Sequence, residues 1–207
     1  MRFTSTSSAG SSLASTDDVV GAIRSLQQAY LIGVEGVTEV WLVRHADVYD
    51  QRELVSDPGL SPLGRKQVKR LAQRLKSVNV DAVYSSPLRR ALQTATALRD
   101  RVETDPRLTE ARASYPNGKV ELQESPGALI ERMRGAVDAA VAAHPGGRVL
   151  MVSHGIAILN YLCDVLRLTP GTLRLFPDFT SVSVVRVKGD RRVAGSLCDT
   201  AHLEAAP

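Results

Sequence analysis

The chain has 207 residues, a formal net charge of +4, 43% hydrophobic and 4% aromatic content, and two cysteines. That length gives one domain with an ample core, and the composition is that of a soluble globular protein rather than a disordered or membrane-spanning one. Cys163 and Cys198 lie far apart without metal-ligand spacing, so neither a disulfide framework nor a structural zinc site is implied.

Residues 1–15 are rich in Ser, Thr, Ala and Gly, with Arg2 as their only charge. They lack the apolar core of a signal peptide, so they read as a disordered tail and the protein as cytoplasmic. A helix over 16–30 follows, capped by Thr16 or Asp17, with Val19, Ala22, Ile23, Leu26 and Tyr30 at helical spacing. It is expected to pack on the domain's own surface, a reading favoured over a dimerisation helix, although a homodimer stays open. Residues 40–45, V-W-L-V-R-H, form a short apolar strand that stops at Arg44 and His45. In open α/β sheets ligands bind beyond the carboxyl ends of the strands. Taken alone, the pair reads more simply as the start of a loop.

Residues 46–60 make a polar loop beyond that strand end, in which Asp47, Tyr49, Asp50 and Arg52 read as solvated residues near a substrate mouth. Ser61 then caps a helix with Pro62 in its first turn. Val68, Leu71, Ala72, Leu75 and Val78 form its inward stripe, and Arg65, Lys66, Lys69, Arg70, Arg74 and Lys76 decorate the rest. Such a face would suit a nucleic-acid-binding module, but without interleaved aromatics or a reader motif it reads as solvated, with no nucleic-acid partner.

Residues 81–90, D-A-V-Y-S-S-P-L-R-R, pass from a strand into a helix with Pro87 expected in its first turn, and a short strand lies near 102–104. The next helix starts at Ser125 or Gly127 and runs to about residue 143, with Leu129, Met133, Ala136, Val137, Ala140 and Val141 inward. His144 at its end reads as a dipole partner outside any site. Residues 149–155, V-L-M-V-S-H-G, again pass from strand to helix, and the last core helix covers 155–166. A hairpin around Gly189 and Asp190 ends the sheet with at least one antiparallel strand. His202, in the tail, reads as solvated. Three strand ends thus carry Arg44 and His45, then Ser85, Ser86 and Arg90, then Ser153 and His154. Two open onto helix N-termini, which favour anions. Brought together, they would make a phosphate pocket.

These residues resemble the histidine phosphatase superfamily, also called phosphoglycerate mutase-like, and specifically its phosphatase branch. The resemblance rests on L-V-R-H-A at 42–46, L-S-P-L-G-R at 60–65 and Y-S-S-P-L-R-R-A-L-Q-T-A at 84–95, followed by D-P-R-L-T-E at 105–110 and V-S-H-G at 152–155. It implies a three-layer α/β/α sandwich, with a mainly parallel sheet and an antiparallel edge, in a single domain over 16–207. It also implies a phosphohistidine enzyme that needs no metal or other cofactor. His45 would be the nucleophile, His154 its partner across the phosphoryl group, Arg44 and Arg90 the phosphate ligands, and Glu110, in the family's L-x-E position, the proton donor. The segment 111–125 departs from the family, so substrate recognition is expected to differ. A mutase goes with a long insertion between the acid and the second histidine, whereas Glu110 and His154 stand 44 positions apart. The expectation is a phosphomonoester hydrolase acting on a small phosphorylated metabolite. A cofactor-dependent phosphoglycerate mutase and a phosphoprotein phosphatase are the alternatives.

Overall fold

The computed structural model describes residues 15–48, 57–114, 116–119 and 121–204. Residues 1–14 of the expected tail and the mouth residues Tyr49, Asp50 and Arg52 lie outside the described residues.

Strand β1 (Thr38–Arg44) lies inside a six-stranded sheet and pairs with β6 (Arg148–Ser153) in parallel and with β7 (Val182–Lys188) antiparallel. Beyond β6 come β2 (Ala82–Ser85) and the short β3 (Glu103–Thr104), both parallel, and β8 (Arg191–Asp199) closes the other edge antiparallel to β7. The strand order is β3-β2-β6-β1-β7-β8. The mainly parallel sheet and its antiparallel edge agree with the sequence reading. Strands β4 (Ala113–Ser114) and β5 (Glu121–Leu122) form a separate two-stranded ribbon. The ribbon occupies the segment that departs from the family pattern.

Alternation along the strands builds the three layers. Val40, Leu42, Val149 and Met151 face one core, which is closed by α4 (Pro126–Ala143) and α5 (Gly155–Val165) through Met133, Ala136, Val137, Ile158 and Tyr161. Val43, Leu150 and Val152 face the other, under α2 (Pro62–Arg74) and α3 (Arg89–Leu98), where Val68, Leu71, Ala91 and Ala95 pack. A central strand covered on both faces has no polar side, and so it reads as a near-continuous apolar run. The buried aliphatic side chains each stabilise the fold by roughly 1.5–3 kcal/mol relative to exposure.

Local signals place the helix starts. Ser61 and Ser125 cap α2 and α4, their hydroxyls accepting from Gly64 N at 2.9 Å and Ala128 N at 3.1 Å. The inward stripe expected for α4 is the one found, with Val141 at its margin. Two expectations need correction. Helix α3 begins at Arg89, with Pro87 in the preceding turn, because Leu88 N bonds Ser86 Oγ at 3.2 Å and holds residues 86–88 out of the helix. Helix α1 (Thr16–Ala29) is capped by Ser15 in a capping box with Asp18, and it buries none of its residues. Val19, Ile23, Leu26 and Tyr30, expected inward, are exposed. The helix is held chiefly at its end, where Arg191 donates to the carbonyls of Gln28 and Ala29, and Leu31 is buried just beyond it. Periodicity reports an amphipathic helix; it does not supply the surface to cover the apolar side.

Candidate active site

Strands β1, β2 and β6 run parallel, so their carboxyl ends lie side by side, with Arg44 in register with Ser153 and Ser85 with Val152. The next residue in each chain enters the same space: His45 after β1, Ser86 after β2 and His154 after β6. His45 N bonds Ser153 O and Ser86 N bonds Val152 O, both at 2.9 Å, so β6 orients both neighbours. The ring centroids of His45 and His154 are 5.0 Å apart.

His45 is buried, and its Nδ1 lies 2.8 Å from Ala46 O. A carbonyl only accepts, so Nδ1 carries the proton and Nε2 keeps its lone pair. Arg90 Nε donates to that Nε2 at 3.2 Å. Burial first, then the charges of Arg90 and Arg44, push His45 down to about 3 against the opposing pull of its bond to Ala46. The ring is therefore neutral at physiological pH. His154 is fully buried, with Nε2 2.8 Å from Ser86 Oγ, and its Nδ1 has no partner among the described residues. Burial, followed by His45 and the arginines, holds it well below the usual histidine range. Ser86 belongs among the site residues: its hydroxyl accepts from Leu88 N and is free to donate to the imidazole.

Arg44 is held rather than floppy. Its Nη1 donates to Pro177 O at 2.7 Å, its guanidinium lies over Phe179 at 3.9 Å and near Phe176 at 5.1 Å, and its buried Nε has no partner among the described residues. Burial lowers its pKa, opposed by Glu110 and Asp178. Gly155 makes room for this arrangement, since a Cβ there would stand 2.6 Å from Phe176 and 3.4 Å from Arg44 Nε. Among the described residues these two buried nitrogens, one cationic and one on an imidazole, have no partner, and an oxyanion is a ligand that could satisfy either.

The helix N-termini expected to receive phosphate are engaged by carboxylates of the chain itself. Asp57 accepts from Arg89 N at 2.7 Å at the start of α3 and reaches Arg90 Nη1 at 3.4 Å. Glu110 accepts from Ala157 N at 3.0 Å and Ile156 N at 3.2 Å in the first turn of α5, and from Ala111 N at 2.9 Å. The anion preference is real, but side chains meet it. Glu110 follows a 3-10 turn at Pro106–Leu108, anchored by Ser153 Oγ on Leu108 O at 2.7 Å and by Arg132 on the carbonyls of Arg107 and Thr109. No sequence signal pointed to Arg132, whose role depends on α4 lying across residues distant in the chain.

Asp47, read from the sequence as a solvated residue near the mouth, is half-buried and accepts from Ser61 Oγ at the start of α2. Gly64 is needed there, because a Cβ would lie 2.1 Å from Asp47 O. His144 is away from the pocket, with Nε2 3.1 Å from Tyr84 Oη. Among the described residues no three His, Cys, Asp or Glu groups are clustered as a metal ion would require, and no helix is long and apolar enough to cross a membrane.

A family model of the histidine phosphatase superfamily (branch 1) matches residues 40–121 and 110–200. The chain belongs to this superfamily. It is a phosphatase-type enzyme, and its fold is the one its relatives share. It is 29% identical over 205 residues to a probable phosphoglycerate mutase GpmB of Yersinia enterocolitica, covering 80% of this chain and 95% of that protein. It is 30% identical over 195 residues to phosphoserine phosphatase 1 of Hydrogenobacter thermophilus, covering 78% and 92%. Among solved structures, a mutant phosphoserine phosphatase of Entamoeba histolytica in complex with phosphoserine superposes with a TM-score of 0.69 at 20% identity, over 80% of this chain and 99% of that one.

The buried imidazoles make a prediction about stability. His45 is lowered to about 3, His202 to about 4, and His154 also lies well below its ordinary value. Below about pH 6.5 the unfolded chain binds protons that these folded rings refuse. Stability is therefore retained near neutrality and lost as pH falls from about 6.5 toward the folded values. Near pH 5 unfolding should take up close to two protons from His45 and His202, with His154 adding in the same direction, a slope of about 1.4 kcal/mol per pH unit for each proton taken up. Urea unfolding across this range measures it, and a flat profile would mean that the rings titrate normally.

Proposed function

We propose that this protein is a metal-independent phosphomonoester hydrolase that acts on a small phosphorylated metabolite in the cytoplasm through a phosphohistidine on His45. The proposed unit is the single domain over 16–207. The observation that carries the reading is the tautomer of His45. Its Nδ1–H is given to Ala46 O, leaving a neutral Nε2 lone pair beside Arg90 and opposite His154.

In this reading Arg44 and Arg90 bind the phosphoryl oxygens, and His154 Nδ1–H donates to one of them. Phosphoryl transfer needs positioning and charge stabilisation more than covalent push, and arginine suits three equatorial oxygens. Nε2 attacks phosphorus as the ester P–O bond breaks, and Glu110 gives its proton to the leaving oxygen. The Glu110 carboxylate then takes a proton from water, whose oxygen attacks phosphorus. The P–N bond breaks, phosphate leaves, and His45 returns to the starting tautomer with Nδ1–H unchanged throughout. Glu110 accepts two N–H bonds on Oε1 and one on Oε2, which leaves a lone pair on Oε2 for the proton.

A mutase is the second reading, favoured by the similarity to proteins named as probable phosphoglycerate mutases along nearly their whole length. Against it, between Glu110 and β6 the described residues form the short ribbon with its turn and α4, with no long insertion to shield a phosphohistidine from water. The purified protein should release phosphate from an aryl phosphate in the presence of chelator. A panel of small phosphate monoesters, phosphoserine and 3-phosphoglycerate among them, should then be hydrolysed without transfer between substrate oxygens. Phosphoryl transfer without net phosphate release would establish the mutase instead, and complete inactivity would remove both.

A further inference from the structure

His202, expected to be solvated in the tail, is buried on the short helix α6 (Ala201–Glu204). Its Nε2 lies 3.0 Å from Thr180 Oγ1, and its Nδ1 lies 3.4 Å from Arg74 Nη1. Arginine can only donate, so Nδ1 accepts and Nε2 carries the hydrogen. Thr180 Oγ1 in turn donates to Phe179 O at 2.7 Å. The donors and acceptors form one consistent chain from Arg74 through His202 and Thr180 to the Phe179 carbonyl.

Thr180 lies at the strand end that carries the pocket. Its N–H bonds Arg44 O at 3.0 Å and approaches His45 O at 3.4 Å. The residue is fully buried with a φ of 61°, a conformation uncommon for a β-branched residue. Such a conformation persists only where surrounding contacts over-determine it. The contacts here are the two N–H bonds to the end of β1 and the hydroxyl bonds to His202 and Phe179. The adjoining residues touch the catalytic groups directly: Phe179 lies against both Arg44 and the His45 ring, whose centroid is 5.5 Å away, and Pro177 O accepts from Arg44.

We propose that His202 is a positioning residue for the phosphate site: through Thr180 it holds the 177–179 segment on Arg44. This rests on the reading that Arg44 binds the phosphoryl group. His202 acts on Arg44 and His45 through Thr180 and the backbone beside it. The groups that face it are Arg74 and Arg70 of α2 and Asp199 of β8, with Arg74 also paired to Asp199 and Arg70 bonded to Leu203 O. The neutral ring fits this position, since a second donor at Nδ1 would oppose Arg74.

The test compares His202→Leu, which fills space without a hydrogen bond, with His202→Gln, whose amide N–H can take the place of Nε2–H. Thr180→Val removes the hydroxyl at constant shape. Each is assayed for KM and kcat on an aryl phosphate, and for competitive inhibition by inorganic phosphate. His202→Leu and Thr180→Val should each raise KM and the phosphate inhibition constant about tenfold, below the roughly hundredfold that a 1 Å misplacement can cost. kcat should change less, His202→Gln should restore most of the loss, and the double variant should add little to either single one. Unchanged phosphate inhibition in His202→Leu and Thr180→Val would overturn the proposal, as would a His202→Gln variant no better than His202→Leu. Arg44→Ala serves as the control: if it leaves phosphate inhibition unchanged, the phosphate-site reading itself fails, independently of His202.

Discussion

His45→Ala is expected to lower turnover by roughly ten-thousandfold or more, a loss typical of removing a catalytic nucleophile. In the proposed mechanism Arg44, Arg90 and His154 would still bind phosphate without the imidazole, but no lone pair would remain to accept it. The acid-labile phosphoenzyme expected on rapid quenching of the parent protein should be missing from the variant. The fold should survive, because among the described residues the His45 ring bonds only the carbonyl of its neighbour Ala46 and the Arg90 side chain, and the surrounding core belongs to other residues. Inorganic phosphate should still bind. Near-normal turnover in a folded variant would end the phosphohistidine mechanism. His154→Ala should also be severely impaired, although its activity loss alone does not separate a nucleophile from a phosphate ligand.

Glu110→Gln should divide substrates by their leaving groups. An alkyl phosphate departs as a strongly basic alkoxide and depends on a proton, whereas a nitrophenolate leaves without one. General acid catalysis is worth roughly a hundredfold to ten-thousandfold, so the two losses should differ by a large part of that range. Single-turnover phosphorylation of the enzyme by each ester separates this step from later hydrolysis of the phosphohistidine. The structure supplies a rival account, since Glu110 receives three backbone N–H bonds and joins α5 to the 105–111 segment. A glutamine replaces one accepting oxygen with a donor and would weaken that junction. A junction effect lowers both rates equally and lowers the melting temperature with them. Unequal losses at similar thermal stability mark the proton donor.

Much of the architecture was legible because its signals are local. The apolar run at 40–43, the Ser61 and Ser125 caps, the inward stripe of α4 and the turn at Gly189 and Asp190 each depend on residues within a few positions of one another. Arg44, His45 and His154 were legible as well, since each follows a recognisable strand and the motifs around them match a family. The motif L-T-E pointed to Glu110 only by resemblance; nothing near it in the chain announces a bond to α5.

Local sequence thus dictated the succession of strands and helices, the apolar sides they present, and the set of polar residues left at three strand ends. What those residues touch was decided by contacts between distant elements. Pro177 and Phe179 reach Arg44 across more than 130 positions, Glu110 crosses 46 or 47 to α5, and His202 crosses 22 to Thr180. The same assembly left the apolar side of α1 exposed and gave Asp47 to the cap of α2. The physical reason is one of range. Periodicity and capping act within one or two helical turns, whereas a hydrogen bond between distant residues forms only after the sheet has brought their elements together.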